Sequence, residues 1–138
     1  MRIASLQPEQ QSFTPDAPKA FHIRIVISDS REAPFYLALN VKNQLHQVVI
    51  CIDSHHCDEV LSGSDPIGLS LLIRHPWLCP GEYTVDAFLY NMDIIDKWED
   101  ACRFTVSSQM PYSGLVYEPA IKIGVVLADF SLFKRTSF

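Results

Sequence analysis

Strict alternation of apolar residues with others limits what this chain can fold into more than any other feature. Phe21, Ile23, Ile25 and Ile27 alternate with His22, Arg24, Val26 and Ser28. Phe35, Leu37, Leu39 and Val41 alternate with Tyr36, Ala38, Asn40 and Lys42. The same period runs through Val48 to Asp53, Tyr83 to Tyr90 and Ile121 to Ala128. Successive side chains on a strand point to opposite faces, so this period puts one set in a core and the other toward solvent or a ligand. Leu69 to Ile73 and Cys102 to Val106 are shorter strand candidates. Turn residues punctuate the runs at Asp29 to Pro34, Asn43 to His46, Ser62 to Pro66 and Cys79 to Gly81. Short strands at this spacing, with no long helical pattern, predict an all-β fold: an antiparallel β-sandwich, jelly-roll or immunoglobulin-like. Asp93 to Asp100 is the one helix-like stretch, a turn or two lying between strands.

Residues 1–20 read as a short strand, Arg2 to Leu6, followed by a Pro-, Gln- and Ser-rich stretch. That stretch, Gln7 to Ala20, is expected to be a mobile connection or a long crossover. The sandwich is expected over residues 21–133. A polar, basic tail, 134–138, is expected to fray.

Charge and composition narrow the function. Acidic residues outnumber basic ones by 16 to 11, giving a net charge of −5. Binding to a nucleic-acid backbone needs a basic face, so nucleic acid is not an expected partner. No run approaches the roughly 20 apolar residues of a membrane helix, and the first residues lack a signal-peptide core. The cysteines Cys51, Cys57, Cys79 and Cys102 are expected to be reduced and packed, as buried cysteines usually are. Glycine is scarce, at five residues, and no phosphate-cradling glycine loop is present.

Few chemical clusters stand out. Cys51, His55, His56 and Cys57 are zinc-ligand types, but no Cys-x-x-Cys pair exists and adjacent histidines diverge on an extended chain. A strand end followed by a polar loop is the expected reading, with no metal or other cofactor. No nucleophile elbow or metalloprotease signature is present, and no enzyme activity is expected. The carboxylates of Asp93, Asp96, Glu99 and Asp100 are expected to decorate one solvated surface.

The aromatic pattern points further. The second face of the Tyr83-to-Asn91 segment carries Thr84, Asp86, Phe88 and Tyr90, and that of the Phe35-to-Val41 segment carries Tyr36 and Asn40. Sugars present apolar C–H faces to aromatic rings and hydroxyls to planar polar groups, so such a row suits a glycan. Strand parity therefore nominates Tyr36, Asp86, Phe88, Tyr90 and Trp98 for stacking and hydrogen bonding, with Asn40, Asn91 and Arg103 as polar support. The competing expectation is a face that serves structural dimerisation and binds no glycan.

Two segments carry a resemblance. Leu78-Cys79-Pro80-Gly81-Glu82-Tyr83 runs into the alternating strand Thr84 to Tyr90, and Asp96-Lys97-Trp98-Glu99-Asp100-Ala101-Cys102-Arg103-Phe104-Thr105-Val106 follows. Together with Phe21 to Ile27, Pro34-Phe35, Leu37 to Val41, Gly114 and Gly124 to Leu127, this order resembles the carbohydrate-binding C-terminal domain of polysaccharide ABC-transporter ATPase subunits (the Wzt type of O-antigen export). The resemblance covers roughly residues 20 to 130. It implies a sandwich, often dimeric, at the cytoplasmic face of a bacterial inner membrane. It also implies a polysaccharide ligand, and as partners a transporter nucleotide-binding domain and permease. The family's nucleotide-binding half would precede such a domain, so the chain is expected to be an excised domain or a freestanding relative.

Overall fold

The computed structural model describes residues 1–27, 34–57, 61, 66–114 and 124–135. Its strands are β1 (Arg2–Pro8), β2 (Ser12–Phe13), β3 (Lys19–Val26), β4 (Tyr36–Lys42), β5 (Val48–Asp53), β6 (Ile67–Ile73), β7 (Trp77–Leu78), β8 (Gly81–Tyr90), β9 (Ile94–Val106) and β10 (Val126–Leu127). A single 3₁₀ turn, Ser54–Cys57, follows β5. Strands β1-β3-β6 form one sheet and β2-β9-β8-β4-β5 another, while β7 and β10 make a small ribbon. The sheets are antiparallel except where β2 runs parallel to β9. No helix of the described residues is long and apolar enough to cross a membrane.

The alternating residues fill the space between the sheets. Phe21, Ile23 and Ile25 of β3 meet Leu37, Leu39 and Val41 of β4 and Tyr83, Val85, Ala87 and Leu89 of β8 in one buried core. Rings of Phe13, Phe21, Tyr83 and Phe104 make its aromatic centre. Buried Tyr83 donates its hydroxyl to the carbonyl of Cys79 at 2.6 Å. Burial, with the Cys79 thiol as a smaller cause, pushes its pKa up to about 12. A phenol whose pKa is raised on folding adds stability below its unfolded pKa near 10, and loses it as pH rises through the folded value. Urea midpoints should therefore fall between about pH 10 and 12, and fall less in Tyr83→Phe; equal falls in the two proteins would contradict this.

Three expectations need correction. Residues 1–20 are not a linker outside the sandwich. β1 pairs with β3, and the following segment crosses to the other sheet as β2. Phe13 is buried there, and the ammonium of buried Lys19 donates to the carbonyls of Thr14, Pro15 and Ala17. Three carbonyl acceptors hold a loop that its Pro-rich composition alone leaves undetermined. Asp93 to Asp100 is not a helix but part of the 13-residue strand β9. Its apolar spacing mimics a helical turn, yet the backbone of Ala87 to Tyr90 needs a partner, and Ile94, Asp96, Lys97 and Trp98 supply it. Cysteine packing holds for Cys79 and in part for Cys102, whereas Cys51 and Cys57 are exposed on β5 and the turn after it; all four are free thiols. Within Ile121 to Ala128, residues 121–123 lie outside the described residues, and Val126–Leu127 form β10. Lys134 and Arg135 of the tail are exposed, and 136–138 lie outside the described residues.

Candidate saccharide-binding face

Strand register brings most of the nominated residues together on the outer face of the larger sheet. Across β4 and β8, Tyr36 lies opposite Tyr90, Ala38 opposite Phe88, Asn40 opposite Asp86 and Lys42 opposite Thr84. Tyr36, Asn40, Phe88 and Tyr90 are half-buried, so the face keeps contact with solvent. The next strand adds Cys51 opposite Asn40 and Asp53 opposite Ala38.

One end of the face is aromatic. The His55 imidazole stacks on Tyr36, with ring centroids 4.3 Å apart and planes 14° apart, and Tyr36 in turn leans on Tyr90 at 5.4 Å. The Tyr90 hydroxyl donates to Asp53 Oδ2 at 2.6 Å. That bond, with burial as a lesser cause, pushes the Tyr90 pKa up to about 12. Beside it, the Lys97 ammonium sits 5.9 Å from the centroid of the Phe88 ring and pairs with Glu99 at 2.8 Å.

The centre is ionic. Lys42 Nζ lies 3.0 Å from Asp86 Oδ1 and 3.1 Å from Asp100 Oδ1. Hydrogen bonds to Asp86 and then Asp100 raise the Lys42 pKa, and the Lys42 bond holds the Asp100 carboxyl below the usual carboxylate range. Asp86 also accepts the backbone N–H of Asp100 at 2.8 Å. Asp100 has φ of +52°, the left-handed region that a non-glycine residue seldom adopts. The reason is a β-bulge: β9 inserts extra residues opposite β8 between Val85 and Ala87.

The far end opens into a cleft of about 510 Å³ lined by Gln11, Asn43, Gln44, His46, Thr84 and Arg103, among others. The β4–β5 turn shapes its wall. Asn43 bonds the backbone of Leu45 and Gln47 through its side-chain oxygen, and His46 takes φ of +60°. These amide and imidazole side chains escaped sequence reasoning because turn residues have no strand parity to assign them a side.

Two nominated residues stand elsewhere. Trp98 pairs with the inward-facing Ala87, so it lies on the opposite side of the sheet from Phe88 and Tyr90, beside β1. The parity inferred from β8 fails for it because β9 shifts register at its bulge. Asn91 sits in the β8–β9 turn and donates to the Pro34 carbonyl at 2.7 Å, which fastens the turn. Arg103 lies on the face, opposite Thr84. Asp53 and His55, read from sequence as part of a polar loop, belong to the aromatic end. The four acids read as one solvated patch also divide: Asp96 accepts the Ile3 N–H, whereas Glu99 and Asp100 pair with lysines.

Metal and thiol chemistry find little support in this geometry. Among the described residues no three His, Cys, Asp or Glu side chains group to hold an ion. Burial raises the Cys79 pKa and pushes that of Cys102 up to about 12, which keeps both as unreactive thiols.

An all-β sandwich with an open, ring-bearing outer sheet defines the class. No family model matches the sequence, and no curated protein matches it. Among solved structures, the crystal structure of the C-terminal domain of Wzt superposes with a TM-score of 0.68 at 16% identity, over 94% of this chain and 79% of that one. A putative beta-galactosidase from Bacteroides fragilis matches with a TM-score of 0.50 at 15% identity, over 77% of this chain and 17% of that one. The chain thus has the fold of the Wzt C-terminal domain.

Proposed function

We propose that this chain is a non-catalytic polysaccharide-binding module that selects lipid-linked, O-antigen-like glycan for export by an ABC transporter. The observation that carries it is the outer sheet face, where Tyr36, Phe88 and Tyr90 stand around Asp86, Asn40 and Lys42 on the Wzt C-terminal-domain fold. Rings supply apolar area to sugar C–H faces, and carboxylate, amide and ammonium groups satisfy hydroxyls.

The charges narrow the ligand to an uncharged glycan. On this face Lys42 is taken up by Asp86 and Asp100, and Lys97 by Glu99. A polyanion needs an excess of unspent cations, and acids here match or exceed bases. Hydroxyls of a neutral sugar fit such a prearranged network, and a wrong sugar leaves its members unpaired. A non-catalytic role fits the same geometry. A glycosidase needs one carboxylic acid with a raised pKa, whereas Asp100 is held low by Lys42.

As partners we propose a nucleotide-binding domain and permease of the transporter, at the inner face of a bacterial inner membrane. We also propose a second copy of this chain, for which Phe130, Leu132 and Phe133 offer exposed apolar surface. A dimeric mass by light scattering supports the second copy, and a monomer at high concentration contradicts it. Two open faces on one dimer raise avidity for a repeating glycan without new contacts.

Calorimetric titration with neutral and uronic-acid-containing O-polysaccharides tests the proposal. The wild type should bind a neutral polymer and release no new reducing ends. Phe88→Ala should weaken it roughly tenfold, about 1.4 kcal/mol, and Tyr90→Ala should weaken it too. Equal affinity in folded variants would remove these residues from the site, and preference for the acidic polymers would overturn the assignment to neutral glycans.

A further inference from the structure

We infer that the saccharide-binding surface turns over the β9 edge into a second cleft, between β9 and β1, where Trp98 is the stacking platform. This rests on the glycan reading of the outer face and extends it to the length of chain that is held.

The second cleft measures about 430 Å³ and is lined by Ser5, Gln7, Gln11, Trp98, Cys102 and Arg103, among others. Gln11 and Arg103 also line the cleft at the ionic end of the outer face. The two hollows therefore meet at these side chains, and a polymer leaving the first arrives in the second. Both connecting groups are exposed and built to hydrogen-bond hydroxyls: a primary amide and a guanidinium. The Gln11 backbone is held in place, because its carbonyl accepts the Thr105 N–H at 2.9 Å and the Thr105 hydroxyl at 3.2 Å.

The cleft has the two components that sugar recognition needs. Trp98 leaves 37% of its surface in solvent although its strand position faces inward. The reason is that β9 is covered by β2 only at Thr105 and Val106, so earlier residues of β9 lie along a sheet edge. Facing it, β1 is the edge strand of the smaller sheet. Two adjacent sheet edges present backbone N–H and C=O groups, which hydroxyls can bind. An indole face beside such groups, with Ser5 and Gln7 on the opposite wall, takes a neutral sugar ring for the same reasons as Phe88 and Tyr90.

The occupant is then a continuous stretch of one neutral polysaccharide, several units long, and affinity depends on chain length. Short fragments occupy the outer face alone; longer ones add Trp98 as an intramolecular second contact.

The test uses the whole chain and the neutral O-polysaccharide giving the strongest signal on an array of such polymers, together with its size-graded acid-hydrolysis fragments. In Trp77→Phe, where Trp98 is the sole indole, tryptophan emission should shift with the polymer and stay unchanged with the shortest binding fragments. Trp98→Ala should weaken the polymer roughly tenfold and leave those fragments unaffected. Unchanged polymer affinity in Trp98→Ala, beside a loss in Phe88→Ala, overturns the second cleft and leaves the outer face standing. Equal weakening of polymer and fragments also overturns it, since Trp98 would then act on the first site. An array on which no neutral polymer binds overturns both.

Discussion

Phe104→Ala is expected to lower the unfolding free energy by about 4 kcal/mol, the upper range for removing a large aromatic from a core. Phe104 is 2% exposed and is the ring on which three others converge. Phe13 meets it at 5.8 Å and Phe21 at 5.4 Å, both edge-on, and Tyr83 stacks on it at 5.4 Å. These rings come from β9, β2, β3 and β8, so one side chain ties the smaller sheet, the larger sheet and the crossover together. Close-packed surroundings collapse only partly around a deleted ring, and the cavity term adds to the lost transfer energy. Urea unfolding should show a lower midpoint at an unchanged slope. A loss below about 1.5 kcal/mol would mean that the centre of the sandwich lies elsewhere.

Asp86→Ala is expected to have the largest effect on binding, roughly a hundredfold loss of polysaccharide affinity, with the sandwich intact by circular dichroism. Asp86 is one of two polar residues buried among the described residues; the other is Lys19. One of its oxygens takes both the Lys42 ammonium and the Asp100 N–H. Its loss removes a sugar-facing acceptor, frees Lys42 to lean toward Asp100, and loosens the bulge that holds Asp100 in its left-handed conformation. Asp86→Asn keeps an acceptor oxygen and should restore part of the affinity. Full affinity in Asp86→Ala would show that the ionic centre plays no part in recognition.

Period-two alternation made the sandwich and its core legible, because burial on one face forces it: Phe21, Leu39, Val85 and their neighbours fall where parity puts them. Parity likewise put Tyr36, Asn40, Asp86, Phe88 and Tyr90 on one outer surface. It failed wherever the backbone departs from regular strand. The bulge at Asp100 reverses the side on which Trp98 stands. The turns hide Asn43, Gln44 and His46, which line the cleft. Asp53 and His55 join the aromatic end only through their contacts with Tyr90 and Tyr36, which are long-range and leave no local signature. Lys19 is similar: its burial depends on three carbonyls of a loop whose course is set by β2 crossing between sheets.

Amide chemical-shift mapping during titration with a neutral O-polysaccharide puts the central claim to the most direct test. The largest shifts are expected along Tyr36 to Lys42, Thr84 to Tyr90 and the Asn43-to-Gln47 turn, with β3 and β6 of the smaller sheet silent. Shifts concentrated on β3 and β6, with the outer row of β4 and β8 unmoved by bound polymer, would contradict the claim that this face grips the glycan.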